Sequence, residues 1–167
     1  VWYLQNKTNL KKGDKIALQM PNLLQYPIVI FAALKAGLVI VNTNPLYTAD
    51  EMLHQYNDSG AKAIIILENF ASKLEVILSK TKIETVIIST IGDMLGGLKG
   101  GIVNFVIRNI KKDAEGNPMV PKFNLPNSKN LKQILKESAG KKGTIVELGK
   151  DDTAFLQYTG GTTGVSK

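Results

Sequence analysis

Cysteine is absent from this 167-residue chain, and histidine and tryptophan occur once each. Without thiols there is no disulfide and no thiolate metal site, and one imidazole, His54, cannot build a zinc centre. Long apolar runs are also lacking. The most apolar stretch, around residues 26–34, falls well short of the roughly 20 residues that span a bilayer, so it reads as a core helix and not an anchor. No basic segment followed by an apolar core opens the sequence, so no secretory leader is read, and a cytoplasmic location is expected. Aromatic residues make up 7% of the chain. They do not interleave with lysines as base-stacking platforms do, so nucleic acid is not expected as a partner.

What is present fits one well-buried core: 44% hydrophobic and 21% charged residues, the balance of a globular domain. The formal charge of +7 is unevenly spread, since residues 101–150 carry ten Lys/Arg against four Asp/Glu. Such a basic surplus suits an acidic lipid surface or is simply a solvated face.

Apolar patterning alternates strand and helix. Strands are expected at Lys15–Met20, Leu38–Val41, Lys62–Leu67, Glu84–Ser89 and Thr153–Tyr158. Between the first two, a helix capped by Asn22, with Pro27 in its first turn, should run to Gly37. It is apolar almost all round and is expected to be deeply buried. Thr48-Ala-Asp-Glu51 spells a capping box for a helix with Met52, Leu53 and Tyr56 on one face, which Gly60 ends. His54 falls on the opposite, exposed face. Another helix passes through Leu74 and Ile77. This rhythm predicts an α/β fold with a mainly parallel sheet of right-handed βαβ units. Residues 92–150 break the rhythm and are expected to leave the sheet. There Gly96–Gly101 reads as flexible, residues 102–112 as an amphipathic basic helix, 113–128 as loop, and 129–137 as a short helix.

The last ten residues carry the strongest chemical signal. Tyr158-Thr-Gly-Gly-Thr-Thr-Gly-Val-Ser-Lys167 follows a short apolar strand. Gly160, Gly161 and Gly164 let backbone N–H groups converge on an anion. Thr159, Thr162 and Thr163 add rotatable hydroxyl donors, and Lys167 a positive charge. The spacing is neither a Walker A motif nor a dinucleotide fingerprint.

The order aromatic-Thr-Gly-Gly-Thr-Thr-Gly-x-x-Lys resembles the phosphate loop of the adenylate-forming enzymes, the group that includes acyl-CoA synthetases, firefly luciferase and peptide-synthetase adenylation domains. Ser166 stands where Pro or Ala is common in that loop. Met20-Pro-Asn-Leu-Leu-Gln-Tyr-Pro27, Leu34-Lys-Ala-Gly37, Asn44-Pro-Leu-Tyr-Thr48 and Asn57-Asp-Ser-Gly-Ala-Lys62 extend the likeness over nearly the whole chain. Their wording resembles the bacterial long-chain fatty acyl-CoA synthetases. The resemblance implies that the chain is an incomplete N-terminal part of an AMP-binding domain. It also implies two-step ligation: a fatty carboxylate attacks the α-phosphate of ATP, and the thiol of coenzyme A then displaces AMP. Thr159, Gly160, Gly161, Thr162, Thr163, Gly164 and Lys167 would hold the ATP phosphates, with Mg2+ accompanying ATP. The adenine, acyl and coenzyme A sites would lie beyond residue 167, so this chain alone should be inactive and prone to self-association, and the parent is open to forming a homodimer. Alternatives remain: another carboxylate-adenylating ligase, or a non-enzymatic module that meets a membrane through 102–112 or nucleic acid through its lysines. Membrane contact would place the protein peripherally on the inner face of the membrane.

Overall fold

Short, almost continuous apolar runs build most of the sheet, as parallel strands buried on both faces require. In the computed structural model, which describes residues 1–159, the strands are Lys15–Gln19 (β1), Val39–Asn42 (β2), Ala63–Leu67 (β3), Thr85–Ser89 (β4), Lys129–Asn130 (β5) and Phe155–Gln157 (β6). All pair in parallel, in the order β5-β4-β3-β1-β2-β6. Alternate residues supply two separate cores. Ile16, Leu18, Ile40, Ile65 and Ile87 face one way, and Ala17, Val41, Ile64, Ile66 and Val86 the other.

Trp2–Asn6 (α1), Gln25–Lys35 (α2) and Leu131–Glu137 (α6) cover the first face; Ala49–Ser59 (α3) and Ala71–Ile77 (α4) cover the second. The split follows from handedness. The β1–β2 crossover moves outward in one direction and the β2–β3 crossover in the other, so right-handed connections place α2 and α3 on opposite faces. Opposite crossovers leave a crevice at the carboxyl ends of the strands.

The helix ends show how local sequence sets the boundaries. Thr48 and Glu51 form the capping box: Glu51 N–H donates to Thr48 Oγ1 (3.3 Å) and Thr48 N–H to Glu51 Oε2 (2.7 Å). Gly60 closes α3 in the left-handed conformation. Asn22 does not cap α2. Leu23 N–H donates to Pro21 O and Tyr26 N–H to Leu23 O, so a backbone turn leads in and Leu24 takes the cap position. Nor is α2 buried all round. Val29 and Ala33 pack on the sheet while Ile28 and Phe31 are exposed, because the outer side of α2 carries no further layer among the described residues.

The stretch 92–150 departs most from expectation. Gly96–Gly101 is not flexible loop; a helix, Gly97–Asn109 (α5), begins within it. Its glycine serves close approach: a Cβ on Gly100 would lie 2.3 Å from the Gly92 carbonyl oxygen. The helix stops at Asn109, so Lys111 and Lys112 follow it rather than belong to it. The segment also rejoins the sheet, since Lys129–Asn130, expected as helix, forms edge strand β5 against β4. Asn130 then caps α6, accepting from Gln133 N–H at 3.2 Å. A strand of two residues has no periodicity to read.

Candidate functional site

An open cleft of about 940 Å³ lies across the carboxyl ends of β1, β2 and β6. Its walls are the segments that leave those strands: Met20–Asn22 after β1, Thr43–Tyr47 after β2, and Gln157–Tyr158 at the end of β6, with Phe70 after β3. Three polar side chains form one row along it. Tyr26 Oη donates to Asn42 Oδ1 (2.8 Å), and Asn42 Nδ2 donates to Gln157 Oε1 (2.8 Å). Beneath the row, buried Gln55 donates to the Asn42 carbonyl (2.9 Å), and Tyr56 Oη donates to Gln19 Oε1 (2.7 Å). Burial drives the Tyr56 phenol far above its ordinary value, so it stays a neutral donor. Asn44 Oδ1 accepts from Leu46 N–H (2.9 Å) and fixes the turn over the cleft.

Glu51 and Tyr158 also border this space. Glu51 is held below the usual carboxylate range, chiefly by the Thr48 N–H and then by its hydroxyl. Tyr158 is pushed up to about 12, first by desolvation and then by Asp58, to which its hydroxyl donates.

Of the residues singled out for phosphate binding, Thr159 is described and is exposed just past β6. Gly160, Gly161, Thr162, Thr163, Gly164 and Lys167 lie outside the described residues. Gln157, the last residue of β6, and Tyr158 after it both line the cleft. His54 is exposed on α3, away from this lining. Tyr26, Asn42, Gln157 and Tyr158 were not anticipated. A polar residue closing an otherwise apolar strand, as Asn42 closes β2 and Gln157 closes β6, was the available signal.

A second polar cluster sits at the carboxyl ends of β3 and β4 and holds α5. Asn104 Nδ2 donates to Thr90 Oγ1 (2.8 Å) while its Oδ1 accepts from Gly92 N–H (2.8 Å). Arg108 donates through Nε and Nη2 to Glu68 Oε2 (2.8 and 2.7 Å). Arg108 thus pairs with the buried Glu68 carboxylate while its own side chain stays about half exposed. Asp93 accepts from Thr90 N–H (2.8 Å), the Thr90 hydroxyl (2.6 Å) and the Ser89 hydroxyl (3.0 Å). Burial raises the Glu68 pKa, and this outweighs the lowering by Arg108. The outward side of α5 carries Leu98, Ile102 and Phe105, all exposed.

The profile of the AMP-binding enzyme family matches residues 2–167. The chain is 50% identical over 165 residues to a long-chain-fatty-acid–CoA ligase of Salmonella typhimurium and 47% identical to one of Haemophilus influenzae. It spans 99% of itself but 28% of the length of each of these relatives. A crystal structure of a long-chain-fatty-acid-CoA ligase from Archaeoglobus fulgidus superposes with a TM-score of 0.65 at 22% identity, over 97% of this chain and 26% of that one. The α/β sheet with helices on both faces is therefore a fold shared with such ligases.

Proposed function

Because the chain belongs to the AMP-binding enzyme family, we propose that the intact protein activates a long-chain fatty acid with ATP and transfers the acyl group to coenzyme A. The chain would be the first part of the AMP-binding domain, and its task is to hold the phosphates. One observation carries this reading: the Gly/Thr/Lys loop continues directly from β6, whose last residue lines a polar cleft at the strand carboxyl ends.

In the first step a carboxylate oxygen bonds to the α-phosphorus and the bond to the bridging oxygen breaks, so pyrophosphate departs. The carboxylate is already ionised at neutral pH, so no general base is needed. The difficulty is bringing an anion to a polyanion. Converging N–H groups of Gly160, Gly161 and Gly164, the hydroxyls of Thr159, Thr162 and Thr163, and the Lys167 ammonium would offset that repulsion on the departing β- and γ-phosphates. The second step is attack of the coenzyme A thiol on the acyl carbon with loss of AMP.

Mg2+ would come with ATP and screen its phosphate charge. Among the described residues no cluster of three carboxylate or imidazole ligands occurs. Glu51, on the cleft, is already engaged by Thr48 N–H and hydroxyl. The donor set therefore suits a metal carried mainly by phosphate oxygens rather than caged by protein.

Carboxylate-dependent exchange of labelled pyrophosphate into ATP tests the reading, with long acyl chains expected to be the best substrates. Thr162→Ala with Thr163→Ala should slow exchange sharply, since losing one oriented donor costs about 3 kcal/mol at the transition state. Unchanged exchange in the double variant would reduce the loop to a turn. Exchange that is fast with another acid but not with a long-chain one would favour a different carboxylate-adenylating ligase.

A second reading concerns location. Leu98, Ile102 and Phe105 are exposed, exposed Lys99, Lys111 and Lys112 lie in the same stretch of sequence, and residues 94–112 contain no Asp or Glu. This favours peripheral contact of that helix with an anionic membrane, on the cytoplasmic side, where a fatty acid partitions.

A further inference from the structure

The strand that leads into the phosphate loop is weakly held by its backbone. β6 is three residues long, pairs only with β2 among the described residues, and ends at the register pair Asn42↔Gln157. A terminal rung on an edge strand frays readily. Here two side-chain bonds fall on the last two residues before Thr159, one on each face of the sheet.

On the α2 face, Gln157 Oε1 accepts from Asn42 Nδ2, and Asn42 Oδ1 accepts in turn from Tyr26 Oη. The cross-strand amide pair thus extends the ladder and anchors it to α2. On the α3 face, the Tyr158 side chain packs with the second core, and its hydroxyl donates to Asp58 near the end of α3. Alternation along a strand is what sends neighbouring side chains to opposite faces. One clamp alone would leave the strand end free to roll about its axis, and two opposed clamps stop that rotation.

We propose that Asn42 and Asp58 are positioning residues of the phosphate loop: together they fix the angle at which the chain leaves β6, and so where the loop's donors meet the triphosphate. The inference rests on the ligase reading. It adds that the geometry of adenylyl transfer is set outside the loop, by a clamp with one jaw on α2 and β2 and the other on α3. Preorganised donors work only when held in place, and displacement by about 1 Å can cost on the order of 100-fold in rate.

The test uses the full-length protein. Asn42→Leu and Gln157→Leu, singly and together, are compared in pyrophosphate–ATP exchange, with kcat and the KM for ATP separated. Acting through one bond, each single variant should lose at least tenfold in kcat, and the double variant should lose little more than either. Asp58→Leu should lose kcat likewise. Asp58→Asn, which still accepts from Tyr158, should recover most of it, although it removes the same charge. Thermal unfolding of each variant separates loop displacement from loss of fold. Multiplicative losses in the double variant, unchanged kcat in Asp58→Leu, or no recovery in Asp58→Asn at an unchanged melting temperature would overturn the clamp. Absence of exchange in the unsubstituted protein would instead sink the ligase reading. Binding of inorganic tripolyphosphate by calorimetry would then judge the clamp alone: weaker binding in Gln157→Leu and Asp58→Leu supports it, and equal or absent binding in all forms overturns it.

Discussion

Glu68 shows how one residue's setting fixes a measurable property. It is 3% exposed, and its Oε2 takes both Arg108 bonds while Oε1 has no protein partner. Desolvation raises its pKa despite the Arg108 guanidinium. The native state therefore holds this proton more tightly than the unfolded chain does. As pH rises from the ordinary Glu value of 4.5 through the raised native value, this group's contribution to stability falls. Glu68→Gln should remove that fall. At neutral pH it should change stability by only about 1 kcal/mol, since the lost ion pair with a half-exposed arginine is offset by relief of a buried charge. Urea midpoints of both forms across acid and neutral pH decide it; several kcal/mol of destabilisation at pH 7 would mean that the ion pair dominates. None of this was legible in the sequence, where Glu68 is one acidic residue after a strand and Arg108 one cation of a basic helix. Contacts 40 positions apart leave no local pattern.

Elements were legible where local chemistry decides them. The capping box at Thr48 and the stop at Gly60 stand as read, as do the four apolar strands β1 to β4, because continuous apolar runs of strand length and reciprocal caps are short-range features. The failures share a different cause. Gly97, Gly100 and Gly101 lower helix propensity and argue locally for loop. Tertiary contact overrides them: only a hydrogen at Gly100 lets α5 cross so near Gly92, and Asn104 and Arg108 then pin it. That fixed seat also makes the outward stripe of Leu98, Ile102 and Phe105 a prebuilt surface. Lys111→Glu with Lys112→Glu should weaken binding to anionic vesicles, with each basic residue near such a surface worth about 1 kcal/mol. Leu98→Ser with Phe105→Ser should weaken it at high salt, where the charge contribution is screened. Vesicle sedimentation checks both. Equal binding by parent and variants would return the stripe to packing within a larger protein.

At the scale of the whole molecule, the two edges of the sheet differ. On the β5 side, the edge strand is two residues long and runs straight into α6, which leaves little strand for another chain to pair with. On the β6 side, no strand among the described residues lies beyond Phe155–Gln157, Phe155 is 41% exposed, and Ile28 and Phe31 of α2 are exposed as well. An uncovered parallel edge beside apolar side chains is a template for pairing with another chain. The sequence signalled this strand by its apolar run but not its place, since a strand's rank in a sheet depends on a crossover that here passes over the whole sheet from β5 to β6. The 167-residue polypeptide is therefore expected to self-associate as concentration rises. Phe155→Lys, which puts a charge on the edge, should shift it toward monomer without loss of helix or strand signal. Sedimentation velocity over a concentration series, with circular dichroism on the same samples, provides the check. A monomer at all concentrations would mean that the β6 edge is already covered. Association unchanged by Phe155→Lys would place the contact elsewhere, with the outward side of α2 or α5 the next surface to substitute.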